Sequence, residues 1–305
     1  MAVIVSSDFL AGLFKSWRAV FQETFDTTET DYEKISTTVP STTKEEIYNW
    51  LGAVPQMREW QDERIPKGLY SHNYTIVNKR WEASIAVDRD DLEDDRLQMV
   101  TPRIQELAIE AKRHPDQLVM ELLQNGFSEL CYDKKPFFSD SHKEGKSGIQ
   151  SNVVSGALSS ATLKEAISKM MALKNDQGKP MKIVPDTLVV GTGNVQWTAR
   201  ELLASTYVMI AGTTDREKPT QNVLQKIVPT LIITPYVDTE SWFLLCCNRA
   251  IRPIIFQMRR KPEFTALDNP NTSDDVWNRA IFKYGVDARY NVGYGLWQFA
   301  VGGVI

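Results

Sequence analysis

The sequence predicts an α+β fold with antiparallel sheets, and three observations carry that expectation. The order along the chain is an amphipathic stripe, two alternating segments, one long helix, then mixed helices and apolar strands. That order differs from the strict βαβα alternation of a parallel sheet. A long apolar stripe follows Thr101 and Pro102. The chain then ends in YGVDARYNVGYGLWQFAVGGVI (Tyr284 to Ile305), where Val286, Ala288, Tyr290, Val292, Tyr294 and Leu296 alternate with Asp287, Arg289, Asn291, Gly293 and Gly295. This is the period of a half-buried strand, and it runs well past the usual length of about 5–6 residues.

The bulk numbers bound the answer. The chain has 305 residues, 42% hydrophobic, 24% charged, with a formal net charge of -4. That suffices for a sizeable core and gives no basic excess of the kind a nucleic-acid binder shows. The apolar N-terminus lacks a basic leader and is broken by Ser6, Ser7 and Asp8, so no signal peptide is expected. No uncharged apolar window approaches 18 residues, so no membrane span is expected. Cys131, Cys246 and Cys247 are odd in number, and two are adjacent. They suit buried thiols in a reducing compartment better than a disulfide framework.

The elements follow in order. Phe9, Leu10, Leu13, Phe14, Trp17, Val20 and Phe21 form a helical stripe. The Thr-rich stretch TFDTTETDYEKISTTVPSTT that follows is expected to be an extended arm outside the core. YSHNYTIVN and RWEASIAVD both alternate, so residues 70–88 are expected to form a hairpin turning at Asn78-Lys79. Thr101 and Pro102 suit a helix start, Gly126 a stop, and Ile104, Leu107, Ala108, Ala111, Leu118 and Leu122 one buried stripe. Pro115 should kink or interrupt this helix. A second helix runs from Ala161 to about Lys174, capped by Ser160 or Thr162. DTLVVG, PTLIITPYV, SWFLLCC and IRPIIFQMRRKPEF read as strands, and NVQWTARELLAS as a helix.

The chemical motifs lead nowhere. VVGTGNVQ has Gly191 and Gly193, but Gln196 stands where a dinucleotide loop needs its third glycine. The acidic run Asp88, Asp90, Asp91, Glu93, Asp94, Asp95 has Glu93 where a calcium loop needs Gly, and reads as a solvated turn before a helix. His72, His114 and His142 lack metal spacing. Ser41 to Lys44 matches S-x-x-K with no companion motif. No metal, cofactor or catalytic set is expected. A hydrolase using Ser41 or Ser139 with His142 is the alternative from another class.

Against this background the stretches WLGAVPQMREWQDERI, YTIVNKRWEASIAVDRDDLEDD, HPDQLVMELLQNG, PFFSDSH and FKYGVDARYNVGYGLWQFAVGG matter, because they are long, idiosyncratic and ordered along nearly the whole chain. In them the sequence resembles the major head (major capsid) subunit family of Mu-like tailed bacteriophages and prophages. The resemblance implies the tailed-phage capsid fold of the Hong Kong 97 type. It places an N-terminal arm at 1–63, an extended hairpin loop at 64–90, and peripheral-domain residues at 91–149 with a spine helix at 97–126. An axial domain at 150–245 and the rest of the peripheral domain, with the long terminal strand, at 246–305 complete it. Tyr290, Tyr294 and Leu296 are then expected against Ile104, Leu107 and Ala111, with Leu118 and Leu122 continuing the core. Asn78, Lys79, Arg80, Trp81, Asp88, Asp91, Asp94, Asp287, Arg289 and Asn291 are expected where neighbouring subunits meet.

The implied function is structural. Hexamers and pentamers of this chain would close an icosahedral head around double-stranded DNA in the bacterial host cytoplasm, without sequence-specific binding and without a membrane. A separate scaffold, a maturation protease and a portal are the implied partners. The alternative of the same fold is the shell of a bacterial nanocompartment that encloses an enzyme cargo.

Overall fold

A computed structural model describes residues 7–49, 51, 73–93, 97–210, 218–268 and 273–304. Helices α1 (Ser7–Thr27) and α2 (Tyr32–Ile35) lead into β1 (Ser36–Pro40), β2 (Glu45–Ile47), β3 (Thr75–Val77) and β4 (Lys79–Asp88). Then come α3 (Arg89–Glu93), α4 (Leu97–Asn125), β5 (His142–Lys143), β6 (Ile149–Gln150), β7 (Val153–Ser155), α5 (Ser160–Ala172), β8 (Thr187–Val190) and α6 (Asn194–Ala204). The chain continues through β9 (Tyr207–Ile210), β10 (Lys218–Gln221), α7 (Leu224–Ile227), β11 (Thr230–Ile233), β12 (Trp242–Leu245), β13 (Ile254–Leu267), α8 (Asp274–Arg279), β14 (Ile281–Tyr294) and β15 (Ala300–Val304).

The frame is set by matched lengths. Helix α4 has 29 residues, about 43 Å at 1.5 Å per residue. Strands β13 and β14 have 14 residues each, about 46 Å. They pair antiparallel, and with β1 and β4 they make a four-stranded sheet in the order β1-β13-β14-β4. Along β14 the residues from Phe282 to Tyr290 alternate buried and half-buried, as the sequence period predicts. Helices α4 and α1 cover one face of this sheet. Between them lie Trp17, Phe21, Ile104, Leu107, Ala108, Phe264, Phe282 and Tyr284, all buried.

Several expectations need correction. The Thr-rich stretch after α1 does not lie outside the core. Trp17 and Phe21 are buried against the chain's own sheet, Ile35 is fully buried, and β1 pairs in parallel with β13. Trp17 meets Tyr284 edge-on at 4.8 Å and Phe21 stacks on Phe264 at 5.0 Å. The apolar stripe therefore has a partner at home. The hairpin turning at Asn78-Lys79 does not form either: β3 pairs with β2, and β4 with β14. Asn78 is buried, and its side-chain amide donates to Ser41 Oγ (2.8 Å) and Thr43 O (3.0 Å). It is a step between two sheets, held by the 41–44 loop.

Helix α4 starts at Leu97, so Thr101 is not its cap and Pro102 sits inside it. It also passes Pro115 unbroken. After Pro115 the fully buried positions are Val119, Met120 and Leu123, while Leu118 and Leu122 are half-buried at the edge of the core. Helix α5 is capped by Ser159, in a capping box with Thr162.

The terminal strand stops at Tyr294. A 3₁₀ turn (Trp297–Phe299) follows, and β15 enters a second, five-stranded sheet ordered β11-β8-β12-β15-β7. Its pairings are mixed: β11 with β8 and β15 with β7 are parallel, the rest antiparallel. Helices α5 and α6 pack on it. Gly303 is required there, because a Cβ would lie 2.0 Å from the Trp242 ring.

Candidate functional site

The open face of the four-stranded sheet is the most distinctive surface. Ala288 and Tyr290 point to α4, so Asp287, Arg289 and Asn291 point away from it. Cross-strand register then sorts the charges into rows. Arg80, Arg289 and Arg260 stand side by side on β4, β14 and β13. Two residues along β4 and β14, and three along β13 across a register shift, Glu82, Asp287 and Glu263 form an acidic row. An irregularity between Met258 and Arg260 brings Arg259 to the same place. Ser41, Thr42, Arg80, Arg259, Arg260 and Arg289 line one recess. Arg260 pairs with Asp287, and Nε of Arg289 is buried without a hydrogen-bond partner. Asn291 donates to Val77 O (2.8 Å).

The other residues expected at subunit contacts divide. Lys79, Asp88 and Asp91 lie on β4 and α3, with Lys79 and Asp88 exposed and Asp91 half-buried. Trp81 lies on the helix side: its indole N–H donates to Tyr290 O (3.0 Å), and its ring is 4.5 Å from that of His114. It is a packing residue. Asn78 is buried, and Asp94 lies outside the described residues. Tyr290 and Tyr294 belong to the larger core cluster, not to the one that holds Ile104, Leu107 and Ala111, although Tyr290 lines a cavity with Ala111 and His114. The Tyr290 hydroxyl meets His114 Nδ1 at 2.8 Å, and that of Tyr294 donates to Leu122 O at 2.8 Å. Leu296 is buried in the larger core cluster. Tyr284 and Val286 share the smaller cluster with Ile104, Leu107 and Ala111.

The residues that suggested chemistry are occupied structurally. His142 is buried, stacked on Trp297 at 4.0 Å between ring centres, with Nδ1 2.6 Å from Asp133 Oδ2 and Nε2 3.3 Å from Phe137 O. Cys131 Sγ donates to Asp133 Oδ1 (3.1 Å). Cys131, Asp133 and His142 are the described cluster with metal-ligand types, and their polar atoms already satisfy one another. Burial raises the Asp133 carboxyl, but the contacts from His142, the Cys131 thiol and the Lys135 N–H together outweigh it and hold the group below its usual range. Burial raises the thiols of Cys131, Cys246 and Cys247, the last to about 12, so they are poor nucleophiles. Ser41 Oγ donates to Glu46, and Ser139 Oγ contacts Ser141 Oγ, so neither meets His142. At Gly191 a Cβ would lie 2.1 Å from Asp238 O, and at Gly193 2.2 Å from Glu240 Oε1. The 238–240 loop fills the space a phosphate would need, and Glu240 accepts the N–H of Asn194 at the start of α6 (3.0 Å).

Residues 10–158, 153–237 and 233–304 match the family described as Mu-like prophage major head subunit gpT. The chain belongs to that family. It is 29% identical over 302 residues to the major capsid protein of Escherichia phage Mu, covering 98% of this chain and 74% of that protein. Its identity to the Mu-like prophage FluMu major head subunit of Haemophilus influenzae is 28% over 296 residues, covering 97% of this chain and 73% of that one. Among solved structures, a subunit of the procapsid of bacteriophage JBD30 superposes with a TM-score of 0.62 at 26% identity, over 99% of this chain and 76% of that chain. The virus-like particle of Pyrococcus furiosus, at 10% identity and a TM-score of 0.55, shares the fold alone. The fold is the tailed-phage capsid fold, and the chain is a structural head subunit, not an enzyme. None of its described helices is long and apolar enough to cross a membrane.

The arginine row is what sequence reasoning missed. Arg80, Arg260 and Arg289 are far apart in the chain, and register alone gathers them. The adjacent pair Arg259-Arg260 in an alternating strand was a readable sign, since one of two consecutive charges must face the core unless a bulge turns it out.

Proposed function

We propose that this subunit associates into hexamers and pentamers that close an icosahedral head around packaged double-stranded DNA, in the cytoplasm of a bacterial host. The observation that carries this reading is the four-stranded sheet, which among the described residues is backed by helices α4 and α1 on one face. Its other face presents ordered charge over two long strands, a surface suited to neighbours and lacking any described catalytic cleft. The net charge of -4 suits a container that must release its DNA, since a strongly basic lining would hold it tightly.

The reading includes separate scaffold, maturation protease and portal proteins. It divides the chain into an arm at 1–63, an extended loop at 64–90, a peripheral domain at 91–149 and 246–305, and an axial domain at 150–245. The loop boundary rests on its 64–72 portion, which lies outside the described residues, because β4 is a full member of the sheet. The axial boundary is drawn by chain position, although β15 joins that sheet from the C-terminal end.

The test is nuclease protection combined with electron microscopy on particles from cells expressing the chain with its neighbouring genes. Closed heads that protect double-stranded DNA are expected. Closed shells that instead enclose a protein cargo would favour the nanocompartment.

A further inference from the structure

We infer that the recess lined by Arg80, Arg259, Arg260 and Arg289 is a receptor for carboxylate side chains of a second copy of this chain. Like charges set directly opposite on neighbouring strands are unfavourable. Here three guanidinium groups stand in one cross-strand row, and the bulge adds a fourth. Within the chain they are incompletely answered. Asp287 pairs with Arg260, while Arg80, Arg259 and Arg289 have no ion pair among the described residues. Nε of Arg289 is buried with no hydrogen-bond partner, so this guanidinium carries an unmet donor as well as an unpaired charge. Glu46, on β2 next to the 41–44 loop that borders the recess, already accepts from Ser41, Thr42 and Thr43.

The class of partner follows from charge and shape. The recess holds about 550 Å³ and admits side chains. The row of Glu82, Asp287 and Glu263 lies about 7 Å further along the strands and repels an extended polyanion such as a DNA duplex. It tolerates one or two carboxylates placed over the arginines alone. The chain supplies such groups, with 39 acidic against 35 basic residues, and each copy in a shell has neighbours within reach. Arginine suits the task, since its planar fork binds carboxylates bidentately. This inference rests on shell assembly by the family to which the chain belongs.

The test uses the full chain carrying Arg289→Lys, expressed as light and ¹⁵N-labelled copies that are mixed before assembly. A zero-length carbodiimide then links the introduced lysine to any carboxylate it touches, and mass spectrometry reads the linked peptides. Mixed-label pairs joining position 289 to an Asp or Glu are expected. Pairs of one label alone, or assembled particles with no link at 289, would overturn the inference. In parallel, Arg80→Glu with Arg289→Glu should lower particle yield about tenfold while the monomer melts as the wild type does. Normal yield would overturn the inference. So would loss of binding to a double-stranded oligonucleotide by this variant with assembly intact, which would assign the arginines to phosphate. Wild-type cultures run alongside: absence of particles there would contradict shell assembly itself, and this inference with it.

Discussion

The hydroxyl of Tyr290 lies 2.8 Å from Nδ1 of His114, tying the long strand β14 to helix α4 one residue before Pro115. A proline removes one helix hydrogen bond and crowds the preceding turn, so this is where the helix most needs a contact from outside. Burial lowers the His114 pKa, which favours the neutral ring facing the phenol. Tyr290→Phe keeps the ring packing and deletes the hydrogen bond. It should cost about 1–2 kcal/mol in urea unfolding.

The two helix stripes should differ in sensitivity. Ile104 is fully buried between helix and sheet, whereas Leu118 is half-buried at the core's edge. Ile104→Ala should cost about 2–5 kcal/mol and Leu118→Ala clearly less. Leu107→Asp places a charge in that core and should prevent folding. A soluble, cooperatively melting Leu107→Asp protein would mean the helix buries another face.

Asp116 gives a pH signature. It accepts the N–H groups of Asp31 (2.9 Å) and Tyr32 (2.6 Å), and burial pushes its pKa up to about 6 despite these bonds. The folded protein therefore holds this proton more tightly than the unfolded chain does. The contribution is fully present below about pH 4 and is lost as pH rises towards 6. Asp116→Asn keeps an acceptor and removes the titration. The stability difference, wild type minus variant, should fall between pH 4 and 6 when followed by thermal melting at each pH.

Two glycines should respond oppositely to alanine. Gly12 in α1 has open space around it, so Gly12→Ala should stabilise by about 0.5–1 kcal/mol through the helix backbone. Gly303→Ala drives a methyl into the Trp242 ring and should cost about 3 kcal/mol or more. Paired denaturation curves read both.

Local periodicity was legible and pairing was not. The alternation from Val286 to Tyr290 and the stripe from Ile104 to Ala111 depend on neighbours in sequence, and both lie on the faces they imply. Strand partners are set by distant residues. Thr75 to Val77 alternates like a hairpin arm, yet Asn78 is claimed by Ser41 and Thr43, which redirects the chain. The terminal alternation also misled, because the turn at Trp297 moves the chain between two sheets while apolar side chains remain buried on both. The charged face was legible at Asp287, Arg289 and Asn291, but its organisation into rows depends on register across three strands.

Sedimentation velocity over a range of concentrations, on the chain alone and co-expressed with its neighbouring genes, tests the central claim most directly. Six copies of 34.7 kDa make about 208 kDa. The account predicts species of that mass or closed shells far above it, at the latest when the neighbouring genes are present. A monomer at every concentration in both preparations would contradict a head-forming subunit.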